Sequence, residues 1–213
     1  MSGGRNGPPI VPGAMASHQT RVPSGEDTKE RIYQAAVEVF YERGFSGASL
    51  RMVAARARAQ MSSIYYHYQN KQDLLFDVMR RAVSDSTKSV RERVDTRADP
   101  QEQLLRAIEG VIDWHTSYQR EAFIADAELP RLQGRYREEV VALRDGQELI
   151  FRRILEEGAA SGAFEISDIT LVNRMLMTAI AGVAAWYRPD GRHSPATIAK
   201  VFYTAIADGL RPR

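Results

Sequence analysis

The residues best suited to contact another molecule lie between Arg43 and Lys71. This stretch carries five Lys or Arg and no Asp or Glu, in a chain whose formal net charge is only +2. Positive charge concentrated on a compact segment suits a polyphosphate ligand, and with so small a total its position matters more than its amount. Gln60, Ser63 and His67 recur there at helical spacing, with Ser62 and Tyr66 beside them and Ile64, Tyr65 and Tyr68 opposite. Their chemistry fits direct reading of duplex DNA. Gln60 can pair with adenine, Met61 can touch a thymine methyl, Ser63 is indifferent, and Tyr66 and His67 reach either base edges or backbone oxygens. Ser49 reads as a helix N-cap whose hydroxyl also suits a phosphate. Arg51 joins this set, although Arg51, Arg56 and Arg58 also read as a solvated basic face.

Positioning these groups requires short, mutually supporting helices. Leu50, Val53, Ala54 and Ala57 form one apolar stripe, and Ile64, Tyr65 and Tyr68 another after a tight break, so two short helices are predicted, the second over about 60–68. At under three turns each they are marginal alone. A third wall is supplied by Ile32, Ala35, Ala36, Val39 and Phe40, on a helix opened by an Asp27 and Glu30 capping box and closed at Gly44, with Phe45 folding beneath it. Asn70 reads as the cap of a fourth helix running to about Val94. Its N-terminus and Lys71 together suit a single phosphate. That helix is a connector between the reader and everything downstream.

The run GFSGASLRMVAARARAQMSSIYYHYQNKQDLL resembles the amino-terminal helix-turn-helix of the TetR family of transcriptional regulators. Gly44, Phe45, Ser49, Val53, Ala54, Ala57, Tyr65, Tyr68 and Lys71 fall in register with that family's pattern, over about a quarter of the chain. Arg58 stands where the family commonly has Gly, Ala59 where it has Val, and Ser62 where Gly is frequent. If the same left-handed backbone is kept, Arg58 should cost roughly 1 kcal/mol. The resemblance implies phosphate contacts for Tyr65 and Lys71. It also implies a repressor that pairs its last two helices with a second copy as a four-helix bundle. Such a twofold dimer places two reading helices in successive major grooves, about 34 to 36 Å apart, and recognises a palindromic operator in double-stranded DNA. A small-molecule effector entering the carboxy-terminal half is expected to change that separation and release the DNA, the alternative being a protein-gated regulator whose second region binds another polypeptide.

The remaining chain fits an all-α architecture in which the three-helix reader joins a larger helical ligand-binding and dimerisation domain. The expected divisions are a disordered tail over 1–26, the helix-turn-helix domain over 27–73, the connecting helix over 74–94 and the larger domain over 95–213. The tail is rich in Gly, Pro, Ser and Asn, and Arg5 and Arg21 are its candidates for reaching a minor groove. Asp99, Pro100 and Glu102 give a strong helix start. A long amphipathic pattern covers Arg135 to Ala160 and stops at Ser161-Gly162. Asp168 to Tyr187 is apolar nearly all round and so needs burial on every side. Asn173, Arg174 and Thr178, and an uninterrupted apolar run too short for a span, argue against a membrane. Ser194-Pro195 opens a last helix.

Effector contacts are sought among large or adaptable side chains in this region: Trp114, His115, Tyr118, Phe123, Phe151, Met175 and Met177. Met and aromatic stripes at helical spacing are as a rule core, so this assignment competes with plain packing. The run WYRPDG at Trp186 to Gly191 is similar to the end of the penultimate helix in a TetR branch that controls lipid or sterol breakdown and answers to acyl-CoA. Asp113, His115, Asp126 and Glu128 are the material for a rival enzymatic or metal site. However, the paired Glu-x-x-His pattern of di-iron bundles is missing, and no G-x-S-x-G, H-E-x-x-H, P-loop or dinucleotide fingerprint occurs. The absence of cysteine removes thiol chemistry and Cys-based zinc sites. No enzyme activity, cofactor or metal is expected, and a cytoplasmic location is.

Overall fold

The computed structural model describes residues 25–210. Ten helices and one 3-10 turn account for most of them, and no strand occurs among the described residues. The tail residues Arg5 and Arg21 lie outside the described residues.

Four helices build the amino-terminal part: α1 (Gly25–Gly47), α2 (Leu50–Arg56), α3 (Met61–His67) and α4 (Lys71–Arg93). The first starts two residues before the expected Asp27, so Glu26 and Asp27 sit within its first turn, where carboxylates complement the exposed amides. The expected stop at Gly44 is a kink (φ 64°, ψ 167°), followed by one further turn. A Cβ at Gly44 would stand 3.1 Å from Glu128 Oε1, so the site needs glycine for both its backbone and its neighbour. Ser49 caps α2 by accepting from the Met52 amide (3.3 Å), and Asn70 caps α4 by accepting from the Asp73 amide (2.9 Å). The stripes expected on α1 and α2 close on Ile64, Tyr68 and α4 residues Leu74, Leu75, Val78 and Met79 in one core. Tyr68 donates its hydroxyl to Asp77 (2.8 Å), and Arg81 spans Asp77 and Glu30, tying α1, α4 and the end of α3 together.

The carboxy-terminal part comprises α5 (Pro100–Ser117), α6 (Gln119–Ala127), α7 (Gly134–Ala160), α8 (Ile169–Ala181), α9 (Val183–Trp186) and α10 (Pro195–Gly209). Asp99 caps α5 ahead of Pro100, and Ser194 caps α10 ahead of Pro195, as their sequence signals predict. The helices α4 and α5 pack so closely that a Cβ on Gly110 would meet the Val90 Cα at 2.9 Å. Ser89 donates across the same contact to the Gly110 carbonyl (2.9 Å). A second core, with Ile108, Ile112, Phe151, Leu155, Leu176 and Ile198, fills the space between α5, α7, α8 and α10.

One expectation for the last helices changes. The run from Asp168 to Tyr187 is not one helix but α8 and α9, interrupted at Gly182. Within the single chain Leu171 (63% exposed), Met175 (57%) and Trp186 (51%) face out, as Val201 of α10 does (62%), on the helices expected to pair with a second copy. By length and mean hydropathy (1.4) alone Ile169–Trp186 reaches the range of a membrane span, a test that core helices also pass. Its helical pieces, of 13 and 4 residues, are each shorter than the roughly 20 that a bilayer requires.

Candidate nucleic-acid interface and effector cavity

The turn between α2 and α3 sets how the second of these helices is presented. Arg58 holds φ 49° and is the one non-glycine residue with positive φ among the described residues. The Ala59 amide donates to the Ala54 carbonyl (2.9 Å) and the Arg58 amide to that of Ala55 (3.2 Å). These are the two bonds of a Schellman cap, which requires a left-handed residue where Arg58 stands. The backbone that glycine would serve is therefore kept with arginine in it. Arg56 is exposed, as a solvated face requires, and also bonds Glu38 (2.6 Å) and Glu42 (2.8 Å) on α1, linking α2 to it at the surface. The Glu42 bond, then that from Glu38, holds its guanidinium still more firmly protonated.

On α3, Gln60, Ser62, Tyr65 and Tyr66 are exposed, Tyr66 by 83%, and Arg51 and Ser49 are exposed on the neighbouring α2 end. Tyr65 lies on the apolar stripe by spacing, while the resemblance implies a phosphate contact for it. At 58% exposed it stands outside, because Ile64 and Tyr68 suffice to fill the core beneath this two-turn helix. Ser63 and His67 are half-buried and line a small cleft with Gly25 and Thr28 of α1, so they face the helix start rather than open solvent. Met61 is half-buried against the core, which restrains its reach to a thymine methyl. Lys71 departs most from expectation. Its ammonium donates to the carbonyls of Phe45 (2.6 Å) and Ala48 (2.8 Å) over the Phe45 ring, 4.3 Å from its centroid. The carbonyls of the turn after Gly44 need donors, and Lys71 supplies them, which leaves one N–H for a phosphate.

The carboxy-terminal part encloses a cavity of about 330 Å³ between α4, α5, α6, α7 and α8. Of the seven expected effector contacts, Trp114, His115 and Met177 line it. The other four do not. Phe151 is fully buried in the second core, while Tyr118 (52% exposed), Phe123 (36%) and Met175 (57%) face outward. Phe123 packs edge-on against Tyr41 of α1 (5.4 Å). Polar residues that the sequence reading did not assign to the cavity complete its wall: Ser86, Asp126, Arg144, Asp145, Gln147, Glu148, Arg174 and Thr178. Arg144 and Gln147 lie on the same stripe of α7 as buried Val140 and Phe151, so charge on an apolar face was the available signal.

The wall is electrostatically tense. Arg144 bonds Asp126 (2.7 Å) and the Ala125 carbonyl (2.6 Å), and Gln147 donates to Ser86 (2.9 Å). Burial pushes the Asp126 carboxyl above its usual range, against the opposing pull of Arg144. Burial also lowers His115 to about 4, an effect that a backbone bond at Ile180 only partly offsets and the Arg144 charge reinforces. His115 is thus a neutral imidazole at pH 7. Of the four residues of the rival metal or enzyme reading, His115 and Asp126 line the cavity, whereas Asp113 pairs with Arg93 (2.8 Å) and Glu128 accepts from the Phe45 amide (2.9 Å).

One short helix faces both regions. Along α6, Ala122, Ala125 and Asp126 line the cavity. Ile124 enters the core of α1 to α4, and Glu128 at the end of α6 holds the Phe45 amide.

Comparison with known proteins follows this division. Residues 97–210 match the family model described as "Tetracyclin repressor-like, C-terminal domain", and residues 32–78 match "Bacterial regulatory proteins, tetR family". The transcriptional repressor KstR2 of Rhodococcus jostii is 26% identical over 88% of this chain and 96% of its own. A bacterial regulatory protein of the tetR family from Rhodococcus RHA1 superposes with a TM-score of 0.83 at 22% identity, over 87% of this chain and 98% of its own. AibR, solved in complex with isovaleryl coenzyme A and operator DNA, superposes with a TM-score of 0.77 at 24% identity, over 84% and 97% respectively. The chain belongs to the TetR family of bacterial DNA-binding transcriptional regulators.

Proposed function

We propose that this protein is a ligand-responsive repressor that binds a palindromic operator as a homodimer and releases it when a small hydrophobic effector enters the cavity. The observation that carries the reading is the double attachment of α6, through Asp126 to the cavity wall and through Glu128 to the turn that precedes the reading helices. An effector that binds against Arg144 and Asp126 changes how α6 is held, and α6 holds α1. Such an effector acts only through unequal affinity for the two arrangements.

Gln60, Ser62 and Tyr66 carry the base contacts, with Met61, Ser63 and His67 closer to the protein. Ser49, Arg51, Tyr65 and the remaining N–H of Lys71 meet the phosphates. The open apolar residues Leu171, Met175 and Val201 support dimerisation through α8 and α10. An acyl-CoA is the reference effector class against which others are compared, since AibR was solved with isovaleryl coenzyme A. The protein works in the cytoplasm, where its operator is.

The test is selection from random duplexes by the purified protein, followed by binding at several salt concentrations. A palindromic site should emerge, with an affinity that falls steeply with salt. Sedimentation should give a dimer that Leu171→Asp with Val201→Asp converts to folded monomers with much weaker operator binding. A stable monomer that ignores duplex DNA of every sequence at low salt would end the proposal.

A further inference from the structure

Five side-chain polar atoms among the described residues are buried without a hydrogen-bond partner, and three of them belong to residues of one cavity wall: His115 Nδ1, Asp126 Oδ2 and Arg144 Nε. Buried polar atoms are ordinarily satisfied, so three on one wall call for a common partner. Their chemistry is specific. The His115 ring is 9% exposed and neutral, with Nδ1 unpartnered and, where the ring donates from its other nitrogen, able to accept. Asp126 Oδ1 is already taken by Arg144, leaving Oδ2 as a second acceptor. Arg144 spends Nη2 on Ala125 and Asp126, leaving Nε–H as a donor.

Resting on the reading of this cavity as the effector site, we propose that its ligand presents an uncharged head that both donates and accepts hydrogen bonds, such as a carboxamide or a hydroxyl beside a carbonyl, on a compact apolar body. The head donates to His115 Nδ1 and Asp126 Oδ2 and accepts from Arg144 Nε–H. The body lies against Trp114, Val111 and Met177. A carboxylate head brings a second anion beside Asp126 and no donor. An ammonium head lies beside Arg144 and accepts nothing. A plain acyl thioester offers its carbonyl alone and leaves both acceptors bare. Sites whose buried polar groups are left unpaired by a ligand discriminate strongly against it.

The experiment is calorimetric titration of the full-length protein with three probes sharing one apolar cage: adamantane carboxamide, adamantane carboxylate and adamantylammonium, with isovaleryl-CoA as a fourth. The carboxamide should bind at least about tenfold more tightly than either charged analogue and than isovaleryl-CoA. His115→Phe, which keeps a ring in the cavity, should erase most of that preference while circular dichroism stays unchanged. Equal or tighter binding of the carboxylate, the ammonium or the thioester overturns the assignment, as does absence of carboxamide binding. The ranking is read on the unaltered chain and so stands even if the variant misfolds. Operator release by isovaleryl-CoA with no response to the carboxamide would refute this head-group assignment and leave the repressor reading intact. Failure to bind any duplex would sink that reading without touching the ranking.

Discussion

Replacing Arg58 by glycine should make this protein more stable, although it deletes a long side chain. Arg58 sits at φ 49° because the Schellman cap closing α2 demands a left-handed residue there. An L-residue with a Cβ gives up about 1–2 kcal/mol in that region, and glycine does not. Glycine in turn has more freedom to lose from the unfolded chain, roughly 0.5–1 kcal/mol. The balance is a gain of about 0.5–1 kcal/mol for Arg58→Gly. For a chain of 213 residues this corresponds to a rise in Tm of about 1–4 °C. Arg58 is exposed, and no ion pair holds its charge among the described contacts, so little attraction is lost to offset it. The assay is urea denaturation followed by circular dichroism, with Arg58→Ala and Arg58→Val as companions. Gly should raise the midpoint at constant m-value, Ala should stay near wild type, and the β-branched Val should lower it. A midpoint for Gly at or below those of wild type and Ala would show that the turn stores no strain at this position.

Lys71→Met removes two donors from the Phe45 and Ala48 carbonyls and should cost about 2 kcal/mol by chemical denaturation. Because its remaining N–H meets a phosphate in the proposed complex, the salt slope of operator binding should also fall by about one unit, and an unchanged slope would show the ammonium to be a staple alone. Gly44→Ala imposes a Cβ at φ 64° and 3.1 Å from Glu128 Oε1, and should lower stability by at least about 1 kcal/mol in the same assay. His115 has a folded-state pKa near 4 against 6.5 when exposed, so the unfolded chain binds more protons between those values. Its contribution is present above pH 6.5 and is lost as the pH falls towards 4, by about 3 kcal/mol. Raised Asp126 acts in the opposite sense, so the measurement is the difference in stability between wild type and His115→Gln across that window. A flat difference would show that the ring titrates normally.

Local signals carried much of this fold into the sequence. Ser49, Asn70, Asp99 and Ser194 each announce a helix through chemistry complete within four residues, and each caps the helix it announces. The apolar stripes of α1 and α2 depend only on spacing and close as read. What was not legible depends on neighbours distant in the chain. Lys71 turns inward because carbonyls 23 and 26 residues earlier need donors. Phe151 and Met175 have the size of ligand contacts, yet one fills the core and the other faces out, a distinction set by how α7 and α8 rotate against their neighbours. Arg144 was passed over because a charge on α7 reads as surface unless its place on the stripe of Val140 and Phe151 is noticed.

The placement of α6 also limits how far any signal has to travel. A helix is only about 10 Å across with its side chains, and this one shows one flank to the chamber and the other to the reader. Communication between them needs no chain of intermediaries strung through the interior. In the proposed mechanism the moving part is a single nine-residue rod, so sensitivity to ligand should concentrate in that rod and its two anchor points rather than spread across the molecule.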